Sequence, residues 1–257
     1  MPSLTIFLLG LSVGSFLNVL IVRLPKNHSI LGFSRCSRCQ KKIAWYDNVP
    51  VLGFLVLKGR CRSCQNRISW QYPLVELLTA FLFLLSFLTY GENLFFLIYA
   101  LFLISLFIVV AAIDFKHFII LDNLVLAGFI VSSIFIYLTS HFSLLTSNFY
   151  GLLFFAGIFL LLFLMSKGEW IGFGDVKLAA MLGFIFGLES SVSIFYLTFS
   201  IGFIYAIMLL VLKKADLKTQ VPLGSLMSGA SILFLLTRFD LLELINPELI
   251  LRLWMKN

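Results

Sequence analysis

The chain reads as an all-α polytopic membrane protein with about eight transmembrane helices and a small cysteine-bearing module between helices one and two. Three observations predict this class. Of the 257 residues, 61% are hydrophobic and 12% charged, with a mean hydropathy of +1.05. Soluble domains carry roughly 25% charged residues, so a water-soluble core is excluded. Apolar runs of spanning or near-spanning length recur along the whole chain. The remaining charge is segregated: ten of the nineteen Lys and Arg lie between Arg23 and Tyr72, where Asp47 is the only acid.

The first apolar run, Leu4 to Val22, has no basic segment before it and no small-residue cleavage site. It is expected to be retained as the first helix rather than removed as a signal peptide. Further apolar runs cover residues 74–90, 94–113, 124–139, 149–166, 177–190, 191–212 and 222–237. Several fall short of the ~20 residues a perpendicular span needs, so tilt is expected. The weakest division is Gly187-Leu188-Glu189-Ser190, between runs six and seven. The sequence thus divides into a first helix (1–22), a basic module (23–72), a transmembrane region (73–237) and a tail (238–257). The tail mixes Leu and Ile with Glu, Arg and Lys, which suits an interfacial helix.

The net charge of +7 would suggest nucleic acid in a soluble protein. Its distribution excludes that reading. With the N-terminus outside, sixteen of the nineteen basic residues fall on the inner face, and the short outer loops contain no Lys or Arg. The positive-inside rule then puts the basic module in the cytoplasm, with the lipid bilayer and its anionic headgroups as partners of the excess charge. The same count puts Asp114 and the segment Gly172-Phe173-Gly174-Asp175 at one membrane face.

All four cysteines lie in the basic module, as Cys36-x-x-Cys39 and Cys61-x-x-Cys64. The two halves repeat: Arg35 to Trp45 aligns with Arg60 to Trp70, including a Gln after the second cysteine and an Ile-x-Trp four residues on. Each half resembles a zinc knuckle, and two knuckles complete a tetrahedral site of four thiolates. Disulfides or unpaired core cysteines are the alternatives; disulfides need an oxidising compartment, and the charge count places the module in a reducing one. Four thiolates leave no open coordination position, so zinc here is structural.

An ionised carboxylate beside hydrocarbon is costly, which makes Asp114 and Asp175 functional candidates. A pair of such acids suits acid/base chemistry. One carboxylate takes a proton from water while the other, protonated, polarises a carbonyl; two like charges held together cannot both ionise easily, so the roles separate. Gly172 and Gly174 let a backbone approach closely. Lys177 either snorkels to headgroups or influences the pair. Glu76, near the start of helix two, is either a helix-start acid or part of a second site.

Taken in order, these motifs resemble those of the type IV prepilin peptidases. Gly10-Leu11-Ser12-Val13-Gly14-Ser15-Phe16-Leu17-Asn18-Val19 with Arg23-Leu24-Pro25 is similar to the family's opening helix. The doubled Cys-x-x-Cys follows, then Ile68-Ser69-Trp70-Gln71-Tyr72-Pro73-Leu74-Val75-Glu76, Ala112-Ile113-Asp114, Gly172-Phe173-Gly174-Asp175-Val176-Lys177-Leu178 and Val221-Pro222-Leu223-Gly224. The resemblance implies a GxGD aspartic protease of the bacterial plasma membrane with Asp114 and Asp175 as its catalytic pair. Gly172, Gly174, Lys177 and Glu76 become candidate substrate contacts. Its expected substrates are prepilins or pseudopilins. The resemblance also implies N-methylation of the new N-terminus with S-adenosylmethionine, associated with the cysteine-bearing region. This chain has Leu121 where the family usually has Pro before Asp122; Asp122 is therefore expected to cap a helix or support the site. A presenilin-like or signal-peptide-peptidase-like protease shares Gly-x-Gly-Asp but carries a Pro-Ala-Leu motif that is missing here. A zinc-bearing membrane scaffold is the non-enzymatic alternative.

Overall fold

The computed structural model describes residues 2–139, 142–212 and 221–237, with side chains from residue 146 onward in the second stretch. The expected interfacial tail and the segment Lys213 to Lys218 lie outside the described residues. The helices are α1 (Pro2–Arg23), α2 (Leu52–Val56), α3 (Gln71–Tyr90), α4 (Leu94–His117), α5 (Asp122–Thr139), α6 (Phe142–Ser166), α7 (Phe173–Val211) and α8 (Leu223–Thr237). Six of them, α1 and α3 to α7, are long and apolar enough to cross a membrane. The chain is a multi-pass membrane protein. It forms two compact units, Met1–Ala112 and Ile113–Asn257.

In the first unit α1 and α3 pack closely and antiparallel. A Cβ on Gly10 would stand 2.5 Å from Ala80 Cα, and one on Gly14 would stand 2.7 Å from Glu76 Cα. This small-xxx-small spacing brings two backbones together where lipid offers no hydrophobic drive for association. Asn18, one turn further along α1, is buried and donates to the Tyr72 carbonyl at 3.1 Å and the Gly14 carbonyl at 3.3 Å. Away from α1, α3 exposes Leu74, Leu78, Leu85 and Leu88, an apolar stripe suited to acyl chains. After α1, the Arg23 guanidinium donates to the carbonyls of Ser29, Ile30, Leu31 and Phe33, tying the loop back to the helix end.

In the second unit, α7 is not one straight helix. Gly187 breaks it with φ 76° and ψ 178°, a conformation open to glycine and costly for L residues. The neighbours show that the chain reverses there. Phe173 meets Phe163, and Gly183 meets Gly151, so the arm 173–186 runs antiparallel to α6. Phe195 then meets Phe155, and Phe199 meets Phe159, so the arm 188–211 runs parallel to α6. Two apolar runs divided near Gly187 were expected, and two arms result. With them, the eight expected apolar segments are all helical.

Several boundaries differ from the expected ones. The sequence leaves Ser140 to Asn148 between two apolar runs, but α6 starts at Phe142. Ser147 and Asn148 are polar because they serve the break: the Leu188 N–H donates to Ser147 Oγ, and the place where a Gly187 Cβ would stand is 3.3 Å from Asn148 Oδ1. At the other end, α4 continues through Asp114 to Lys116 and His117, whose basic side chains suit a helix C-terminus. Helix α7 already starts at Phe173, so Asp175 lies in its first turn.

Candidate functional site

Asp114 sits in the last turn of α4 and is 4% exposed. Its Oδ2 accepts two bonds from one residue of α8, the Ser225 N–H at 2.7 Å and the Ser225 hydroxyl at 3.0 Å. The Pro222 carbonyl accepts the Leu226 N–H, which makes Ser225 the third residue of the helix. The first N–H groups of a helix lack intrahelical partners, and the dipole favours an anion there. Asp114 therefore rests on the open end of α8. The preceding Gly224 makes the approach possible: a Cβ there would stand 3.0 Å from Asp114 Cγ and 3.0 Å from Ile120 Cδ1.

Asp175 is the third residue of α7, and its Oδ2 accepts the Gly172 N–H at 3.1 Å. Gly172 supplies an extended N-cap, with φ −75° and ψ 151°. A Cβ on Gly174 would stand 3.2 Å from Ile120 Cβ, so Ile120 adjoins Gly174 as it adjoins Gly224. Ile120 thus bridges the helix starts that carry the two acids, and the two carboxyl groups are near enough to interact electrostatically. The geometry brings Asp114, Asp175, Gly172 and Gly174 to one place. That place is a pair of acids, each beside a helix N-terminus at the edge of a membrane-spanning bundle.

Lys177 lies on the same arm, with its Nζ 2.7 Å from Asp122 Oδ1 and 5.2 Å from the centre of the Phe173 ring. Asp122 does not cap α5: the Leu121 carbonyl accepts the Val125 N–H, and Asp122 is the first helical residue. Its carboxylate instead ties the start of α5 to the start of α7. Sequence reasoning missed Ser225 and Ile120. Ser225 follows a motif that had been noted, but its hydrogen bond spans 111 residues.

The cysteine module belongs to the first unit. In each half a short antiparallel bridge closes the knuckle, Arg35 with Lys42 and Arg60 with Arg67. The residue after the second cysteine is left-handed in both, Gln40 at φ 56° and Gln65 at φ 55°, so the sequence repeat is also a repeat in space. The four Sγ atoms of Cys36, Cys39, Cys61 and Cys64 lie within 4.8 Å of one another, with Cys36 and Cys64 at 3.7 Å. A tetrahedral site with Zn–S bonds of ~2.3 Å has sulfur–sulfur edges of ~3.8 Å, so the set can hold such an ion. Hydrogen bonds from the backbone at Cys39 and Arg38 bring the Cys36 thiol down to about 6. Against the backbone bond at Asn66, burial and the neighbouring thiols push Cys64 up to about 11, so a cation among the sulfurs is what would let all four ionise. Arg62 clamps Asp47 through two bonds, Nε to Oδ2 at 2.8 Å and a terminal nitrogen to Oδ1 at 2.6 Å.

Glu76 also lies in the first unit, 6% exposed on α3. Its Oε2 accepts the N–H of Val51 at 2.7 Å, the residue that begins α2 with a left-handed φ of 60°.

A multi-helix membrane protein with two acids beside helix starts that share Ile120, and with a four-cysteine cluster between its first long helices, defines a class: multi-pass membrane proteins with a carboxylate pair. The chain belongs to the type IV leader peptidase family. Residues 101–207 match that family, and residues 8–90 match the bacterial peptidase A24 N-terminal domain. Three relatives bear the name prepilin leader peptidase/N-methyltransferase. The protein of Myxococcus xanthus is 37% identical over 69% of this chain and 54% of its own length. That of Klebsiella pneumoniae is 36% identical over 72% and 85%. That of Bacillus subtilis is 33% identical over 89% and 91%. No solved structure matches the chain.

Proposed function

We propose that this protein is a membrane aspartic endopeptidase that removes the leader peptide of type IV prepilins or pseudopilins, then methylates the new N-terminal amine with S-adenosylmethionine. Asp114 and Asp175 are its catalytic pair. The observation that carries this reading is the setting of the two acids: each carboxylate is held by a helix N-terminus, and both helix starts close on Ile120. The Asp114 carboxylate is oriented by its bonds from Ser225 to Oδ2. Water is activated by the ionised member and the scissile carbonyl by the protonated one. Gly172 and Gly174 let the substrate backbone approach Asp175, and Lys177, fixed by Asp122, borders that approach.

The distribution of basic residues supports cleavage at the cytoplasmic face of the bacterial plasma membrane. The spacing of the cysteines supports a structural zinc held by Cys36, Cys39, Cys61 and Cys64. The test is co-expression with a type IV prepilin. Asp114→Ala and Asp175→Ala are each expected to abolish leader removal, and processing by either variant would sink the assignment. Metal analysis is expected to return one zinc per chain; a metal-free sample with two disulfides would refute the zinc site. The mass of the mature pilin N-terminus reports methylation separately.

A further inference from the structure

The first unit holds a cavity of about 410 Å³ that none of the peptidase chemistry uses. It runs from the buried side chains of Asn18 and Glu76, past Ser15 and Tyr72, out to the exposed Arg35 and Arg67 of the cysteine module. Its size falls within the range of small-molecule sites. Its chemistry is unusual. Glu76 is a buried carboxylate at the deep end, with hydrogen bonds from the Val51 N–H and from Ser15, and among the described residues no cation pairs with it. An acid buried at a membrane-spanning helix without a counter-charge costs stability unless something cationic meets it. The mouth has the opposite character: Arg35, Lys41, Lys42 and Arg67 line it, while Asp47 is already paired with Arg62.

A fitting ligand therefore carries a positive centre at its inner part and an anionic group further out. S-Adenosylmethionine has both, a sulfonium and an α-carboxylate; its α-ammonium is shared with the demethylated product, so the sulfonium is the charge that distinguishes the two. We propose that this cavity is the methyl-donor site, with the Glu76 carboxylate facing the sulfonium and the basic mouth receiving the carboxylate. This rests on the methyltransferase reading above and specifies its site. In the transfer, the acceptor amine forms a bond to the methyl carbon, the carbon–sulfur bond breaks with its electrons going to sulfur, and the amine proton leaves to solvent. The sulfonium becomes a neutral thioether, so the product loses the charge that Glu76 attracts. The site should therefore release spent donor more readily than it binds fresh donor.

The test is direct binding of S-adenosylmethionine and S-adenosylhomocysteine to the full-length protein in detergent. Wild type is expected to bind the cationic donor about tenfold more tightly than the neutral product, the scale of one buried charge contact. Glu76→Gln retains an acceptor for Val51, and should erase that preference while leaving the product's affinity within about twofold. A Glu76→Gln protein that keeps the tenfold preference overturns the proposal. Ultraviolet cross-linking of the donor to wild type does not depend on the variant's folding: labelled peptides are expected from 15–23, 34–69 or 71–80, which line the cavity, and labelling confined to other segments also overturns it. If mature pilin is methylated yet Glu76→Gln has no effect, only the site fails. If wild type binds neither compound and the pilin is unmethylated, the methyltransferase reading fails with it.

Discussion

The Asp114 carboxylate rests on the first turn of α8 through Ser225, accepting its N–H at 2.7 Å and its hydroxyl at 3.0 Å. One residue therefore supplies two donors to one oxygen, and the position of the acid depends on where α8 begins. Ser225→Ala removes the hydroxyl and keeps the N–H. The expected result is a fall in the kcat of leader cleavage of about tenfold, the scale of one hydrogen bond to a charged group, with KM nearly unchanged. Ser225→Thr keeps the hydroxyl and should restore most of the rate. A Ser225→Ala enzyme with wild-type kcat would show that the contact does not position Asp114.

Gly224 sets the distance between α8 and the acid. Its substitution by Ala puts a methyl group 3.0 Å from both Asp114 Cγ and Ile120 Cδ1. Contacts that tight force a shift of a few tenths of an ångström in a packed site. Gly224→Ala is expected to reduce cleavage roughly tenfold or more, because sub-ångström misplacement is costly for a reacting group such as Asp114 is proposed to be. Gly224→Val should abolish cleavage while the protein still inserts and elutes from detergent as wild type does. Full activity in the valine variant would exclude this packing as a determinant of the rate.

Much of this arrangement was legible in the sequence, and the parts that were not share a cause. The apolar runs, the doubled Cys-x-x-Cys and the common membrane face of Asp114 and Asp175 are local patterns, read from spacing and charge alone. The Gly187 break was visible as a small residue followed by Glu189 and Ser190. Ser147 and Asn148 misled, because polar residues read as loop when nothing shows that they serve a helix reversal about 40 residues later. Ser225 and Ile120 carry no chemical signal: their roles come from contacts made after the bundle assembles. The left-handed Val51 is likewise invisible, since a β-branched residue is the last choice for that conformation.

The Asp47–Arg62 clamp gives the module a pH dependence of known sign. Arg62 holds the Asp47 carboxyl below its ordinary range through two hydrogen bonds and charge attraction. A depressed carboxyl stabilises the folded form above its unfolded pKa, about 3.9, and loses that contribution as pH falls through the folded value. Comparing wild type with Asp47→Asn cancels other titrations. The difference in module stability, followed by Trp fluorescence, is expected to stay flat from about pH 8 to pH 5, since the carboxyl is ionised throughout in both states. A gap that closes between those values would mean that Asp47 titrates well above the range its partner imposes.

The reversal at Gly187 is the most demanding backbone position in the second unit. At φ 76° and ψ 178° an L residue is strained, and a Cβ there would also stand 2.9 Å from Ser147 Oγ. Strain of this kind costs of order 1–3 kcal/mol, to which the contact with Ser147 adds. Gly187→Ala is therefore expected to lower the melting temperature of the purified protein by several degrees and to reduce its yield in membranes. Ser147→Ala relieves the contact and leaves the strain, so the double variant should recover only part of the loss. Complete recovery would assign the whole penalty to Ser147 and none to the backbone. The hairpin explains why the effect should reach the acids: the arm that starts at Asp175 turns at Gly187, and the returning arm meets α8, where Leu226 lies against Gly202. A shifted turn would move the helix starts that hold Asp175 and Asp114, and cleavage should fall along with stability.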